Sequence, residues 1–130
     1  MFLKQLKIGH SCGANAMKNG CIPSYKGLDE LRQSTAGCTN LNKSNLLSKK
    51  AYILYDGIII LDGLSSDRLI SNLVVDINGK KGPNKWGYDV FYFYTYFDGN
   101  KYTVGSTGGC MPVEQGGRYT NAMLKYVLQN

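Results

Sequence analysis

DINGKKGPNKWGYDVFYFYTYFDG, residues 76–99, sets a loop rich in glycine and lysine directly against an unbroken aromatic run. The run alternates: Phe91, Phe93, Thr95 and Phe97 fall on one side of an extended chain, and Val90, Tyr92, Tyr94 and Tyr96 on the other. That period of two makes 90–97 a strand, with the phenylalanine side as its core face. The tyrosine side is expected at the surface or against a neighbouring subunit. A stacking platform for bases or sugar rings would use the same tyrosines. Such platforms usually add basic residues on that face, and this strand has none.

Working outward, SNLVVDING at 71–79 is a strand that ends in turn residues. Further upstream, AYILYDGIIILDG at 51–63 places two β-prone apolar runs around Asp56 and Gly57, a strong hairpin signal. Downstream, Asp98–Asn100 marks a turn into a short returning strand. Antiparallel connections therefore dominate. At the N-terminus, Phe2, Leu3, Leu6 and Met17 suggest the apolar side of a short helix over about residues 2–10, ended by Gly9 and the stretch to Gly13. Residues 34–48 are polar and are expected to be loop. The end of the chain, with Ala122, Met123, Tyr126 and Val127 at helical spacing, fits a helix or a last strand.

The chain has 130 residues, 43% hydrophobic and 18% charged, without repeats or a linker-like segment, which fits a single domain spanning 1–130. Its 16 glycines and 10 tyrosines suit strands and turns better than a helical bundle. A formal charge of +6 attracts anions weakly, but the basic residues are spread along the chain rather than gathered into a nucleic-acid footprint. The lysine pairs 49–50 and 80–81 suit solvated turns.

Four cysteines, Cys12, Cys21, Cys38 and Cys110, stand at wide spacings with one histidine, His10. No close ligand pair favours zinc. Two disulfides, expected as Cys12–Cys21 and Cys38–Cys110, would stabilise by roughly 2.5 and 4.5 kcal/mol on loop-closure arguments and would imply export. Four buried free thiols in a cytosolic protein are the alternative. MFLKQLKIG is too short and too lysine-rich for a secretory or membrane segment, so export needs a targeting segment outside this sequence.

No catalytic set assembles from these residues. A nucleophile–base pair would have to use His10 with a free Cys12, and a cystine sulfur is no nucleophile. The glycine pairs 108–109 and 116–117 form no phosphate-binding loop. An enzyme is not expected. The opening loop itself has two readings. Asp76, Asn78 and Gly79 begin a D-x-N-G turn of the calcium kind, to which Asn84 and Asp89 add oxygens from the far side, although Lys80 and Lys81 stand where acidic ligands would help. Alternatively, Asp76 and Asn78 cap a tight turn, the glycines and Pro83 set backbone angles, and Trp86 pins the loop onto the sheet.

DINGKKGPNKWGYDVFYF closely resembles a D-x-N-G-x-K-G-P-N-x-x-G-x-D-x-F signature in the globular regions of type IV pilins and type II secretion pseudopilins. The order around it agrees: a basic FLKQLKI segment, SCG with a nearby NGC, a strand-DG-strand hairpin, the signature, then a late cysteine. The resemblance implies an α+β head, in which a short N-terminal helix packs on an antiparallel sheet of about four strands, loop-rich, with two disulfides. It also implies a structural subunit at the bacterial cell surface or outside the cell, anchored in the inner membrane before assembly. Such a subunit joins other pilin subunits in a helical filament through an apolar N-terminal helix lying ahead of this chain. Lateral contacts would then involve Tyr92, Tyr94, Tyr96, Lys80, Lys81 and Trp86. The alternative is an extracellular binding module for carbohydrate or DNA.

Overall fold

A computed structural model describes residues 7–31, 41–62, 70–97, 99–100, 102–105 and 113–118. Six strands, β1 (Ile8–Gly13), β2 (Lys50–Leu54), β3 (Ile59–Asp62), β4 (Ile70–Asp76), β5 (Val90–Phe97) and β6 (Tyr102–Gly105), form one sheet in sequence order. Every neighbouring pair is antiparallel. The hairpin expected around Asp56 and Gly57 is the β2–β3 connection, and its Asp56 carboxylate accepts from the Ile58 amide at 3.2 Å. That short-range bond is the usual work of an aspartate in a turn.

The expected α+β head is corrected by this architecture. Six strands replace about four, and the longest described helix, α1 (Lys43–Ser48), has six residues. Residues 8–10, assigned above to an N-terminal helix, belong to β1, which pairs with β2 from Ile8↔Leu54 to Gly13↔Ala51. Two physical reasons favour the strand. Gly9 costs about 1 kcal/mol in a helix interior, and β2 offers an edge whose backbone groups β1 satisfies. Two register shifts, between Ile8 and His10 and between Ser11 and Gly13, mark irregular pairing along that edge. Residues 2–6, and the C-terminal helix or strand over 119–130, lie outside the described residues.

α1 falls inside a stretch expected to be loop. Its start is nonetheless well made: Asn42 caps it, accepting from the Asn45 amide at 2.8 Å, and Leu46 is its buried anchor. Of the two expected disulfides, Cys12–Cys21 is formed, with its Cα atoms 6.0 Å apart. It ties β1 to the turn that follows it. Cys38 and Cys110 lie outside the described residues.

Cross-strand partners define the faces. Ala51, Leu61, Val74 and Tyr92 follow one another across four strands, and Ile59, Asp76 and Val90 do so across three. This face carries the main core, covered by Met17, Ile22, Tyr25, Leu41, Leu46 and Trp86. The opposite face holds a smaller cluster around buried Ile60 and Leu73. The central strands are thus buried on both sides. Consequently Tyr92, expected at the surface, is only 2% exposed and lies in the main core. Of Tyr94 and Tyr96 the backbone register alone is described, opposite Asn72 and Ile70 of β4.

Candidate metal centre

The β4–β5 corner begins where the sheet stops. Asp76 closes β4 and Val90 opens β5 opposite it. Between them run a 3-10 turn at Gly79–Lys81, a cis Gly82–Pro83 bond, and Asn84 in the left-handed region at φ 60°. Gly79 also has φ 60°, and a β-carbon there would collide with the Gly57 carbonyl of the β2–β3 turn. Only glycine allows that approach.

Two carboxylates hold the corner from inside, and both Asp76 and Asp89 are 1% exposed. Asp76 Oδ1 accepts from the Asn78 amide at 3.1 Å, and Oδ2 accepts from the Tyr25 hydroxyl at 2.9 Å. Asp89 receives two backbone amides at 2.8 Å, from Lys85 on Oδ1 and from Asn84 on Oδ2. The Ile77 amide donates to the Asp89 carbonyl at 2.8 Å, so the two ends of the loop are also joined through the backbone. The Asn84 side chain bridges inward, its NH2 group donating to Asp76 Oδ2 at 2.6 Å and to the Gly79 carbonyl at 2.8 Å.

Electrostatics follow from this burial. Loss of water pushes the Asp76 carboxyl up to about 6; the Tyr25 hydrogen bond pulls it down and the neighbouring Asp89 charge raises it again. Tyr25 is driven upward, first by its own burial and then by the Asp76 charge. Among the described residues the ion pairs are Lys26–Glu114 and Lys43–Glu30, and neither reaches Asp76 or Asp89.

The other residues singled out from sequence fall around this centre. Asn78 is exposed, with Nδ2 donating to the Gly82 carbonyl at 3.3 Å, so its side chain points away from the carboxylates. Lys80 and Lys81 are exposed on the 3-10 turn. Trp86, expected among lateral contacts, is fully buried instead. Its indole donates to the Lys26 carbonyl at 2.6 Å and its amide to Glu114 Oε2 at 2.9 Å. Pinning of the loop by Trp86 is therefore what the fold displays. Tyr25 carries no sequence signal for this site, since 51 residues separate it from Asp76.

A second cluster brings His10, Cys12 and Cys21 within 4.8 Å of one another. Both sulfurs are joined in the disulfide, so neither offers a thiolate to a metal or a substrate. No protein-family model matches the chain, and neither a curated protein nor a solved structure matches it.

Proposed function

We propose that this chain is a structural subunit of an extracellular filament of the pilin or pseudopilin kind, acting through its surfaces rather than through a catalytic centre. The observation that carries the proposal is the use made of the signature residues. Asp76, Gly79, Asn84, Trp86 and Asp89 are engaged in holding one corner of the sheet, which suits a motif that serves architecture rather than chemistry. The Cys12–Cys21 bond supports an oxidising compartment. Heterologous head-to-tail contacts between such subunits generate open helical filaments. No helix among the described residues is long and apolar enough to cross a membrane. Anchoring and polymerisation belong, in this proposal, to an apolar stretch of about 20 residues encoded upstream.

Immunogold labelling of intact cells, with immunoblotting of the material they release on shearing, tests the proposal. Labelled filaments and a sheared band with oxidised Cys12 and Cys21 are expected. A purely cytosolic protein with both thiols reduced would remove it. One observation favours the second reading, an extracellular module for carbohydrate or DNA: Tyr55 is 78% exposed on the β2–β3 turn, whose Asp56 and Gly57 line a groove together with Lys80 and Lys81. Salt-sensitive binding of single-stranded DNA, lost in Tyr55→Ala, would support that reading instead.

A further inference from the structure

We propose that reduction of the Cys12–Cys21 bond turns it, together with His10, into a zinc site, so that this edge of the sheet holds either a disulfide or a metal ion. The inference is independent of the filament proposal, since it concerns the reduced form of the bond in whichever compartment that form arises.

Geometry carries it. His10 and Cys12 stand two residues apart on β1, a spacing that turns both side chains to one face of a strand. Cys21 joins them from the turn that follows, and one ligand atom from each residue lies within 4.8 Å of the other two. Around a tetrahedral zinc, with bonds of about 2.3 Å to sulfur and about 2.0 Å to nitrogen, ligand atoms stand about 3.5–3.8 Å apart. Rotation of the three side chains spans that difference. The backbone that presents them is held by other contacts than the disulfide. The Asn15 and Ala16 amides donate to the Ser48 and Lys49 carbonyls at 3.2 Å, and the Cys21 amide donates to the Ala16 carbonyl at 3.0 Å. Ala16 and Met17 of the same turn are buried in the main core, and β1 is fixed by its pairing with β2. Cys12 and Cys21 therefore stay neighbours when the bond opens. The wide spacing that counts against zinc in the linear sequence is closed by this turn.

The donor set selects the ion. Two thiolates and an imidazole suit zinc, and the thiolate charges balance that of the cation. Both cysteines pack partly buried against the main core, whereas His10 is exposed, so one side of the site is dry and the other admits the ion with water as its fourth ligand. A dithiol supplies the two electrons. Its thiolate attacks one cystine sulfur, its second thiol resolves the mixed disulfide, and the products are its own disulfide and the two cysteine thiols. Zinc binding then releases both thiol protons. In reverse, a small-molecule disulfide accepts two electrons from the zinc-bound sulfurs, takes up two protons and leaves as two thiols, while the cystine re-forms and zinc departs as the dication.

The test uses the whole chain, reduced with a phosphine that is then removed, and titrated anaerobically with cobalt and zinc. Thiolate-to-cobalt charge-transfer absorption with the visible bands of a four-coordinate ion is expected, and zinc should displace the cobalt at about one equivalent. The oxidised chain should give neither signal. Cys12→Ser, which leaves Cys38 and Cys110 in place, should lose the charge-transfer band and so assign the ion to this edge. His10→Gln, at an exposed position and with the disulfide free to form, should fold as the parent does when oxidised; once reduced it should bind zinc at least about tenfold more weakly, since loss of an outer-shell partner alone costs that much. Oxidised glutathione should release the zinc to a chromogenic chelator. If the reduced chain unfolds, zinc should restore its far-ultraviolet circular dichroism in the parent and not in His10→Gln. Absence of zinc uptake by the reduced chain at micromolar zinc, equal uptake by the oxidised chain, or unchanged affinity in His10→Gln would overturn the proposal.

Discussion

Tyr25 and Asp76 show how much one buried contact can govern. Burial pushes the folded Asp76 carboxyl up to about 6, against about 3.8 in the unfolded chain. Between those values the native state binds more protons than the unfolded chain, so this group's contribution to stability falls as pH rises. The contribution is fully present below about pH 4 and is lost above about pH 6, a difference of about 3 kcal/mol. Urea unfolding at pH 4.5 and 7 should reveal this slope, and Asp76→Asn should flatten it. Tyr25→Phe acts in the other direction on the carboxyl. Because the hydroxyl bond lowers the Asp76 titration, its loss should move that titration higher and cost about 1–3 kcal/mol at pH 7. Carbon-detected NMR titration of the Asp76 carboxyl reads the first effect directly. Asp76 and Asp89 were legible in sequence as oxygen-bearing loop residues. Tyr25 was not, because nothing local distinguishes a tyrosine that reaches across 51 residues from any other.

At the scale of elements, local period and turn chemistry identified β2, β3, β4 and β5, where alternation and Asp–Gly or Asn–Gly turns coincide. They failed at β1. Phe2, Leu3 and Leu6 give a helical spacing over too few residues to distinguish periods, and the partner that makes 8–13 a strand lies about forty residues later. They failed also at Tyr92, where alternation separates it from Phe91 but cannot say that both are buried. The cystine compensates for the irregular β1 edge by closing a loop of sequence separation 9. Replacing both Cys12 and Cys21 by serine should therefore cost about 2–3 kcal/mol in denaturant unfolding. Gly79→Ala should be at least as damaging, at about 2–4 kcal/mol, since the new methyl meets the Gly57 carbonyl and the backbone is left-handed. A loss below about 0.5 kcal/mol would mean that the two turns are not in contact.

For the whole molecule, the described positions Ile59, Ile60, Leu61, Leu73, Val74, Phe91 and Tyr92 are buried, and the exposed large apolar side chains among the described residues lie in turns between strands. Tyr92 belongs to the interior with Val74 and Leu61, whereas Tyr55, Ile77 and Tyr88 are the exposed large apolar residues among those described. Ile77 lines a groove of about 380 Å³ with Ile53, Asp56, Gly57, Lys80 and Lys81, so apolar contact and positive charge occur together there, and Tyr55 precedes Asp56 on the β2–β3 turn. Contacts between subunits, or with an anionic partner, are expected at this turn rather than at buried Tyr92. The two possibilities separate by mutation. Tyr92→Ala removes a buried aromatic and should cost about 3–5 kcal/mol, lowering the yield of folded chain and so of any assembly. Tyr55→Ala should leave the denaturant midpoint within about 0.5 kcal/mol of the parent while reducing the sheared filament fraction. If a fully folded Tyr55→Ala assembles as the parent does, the β2–β3 turn is not the working surface.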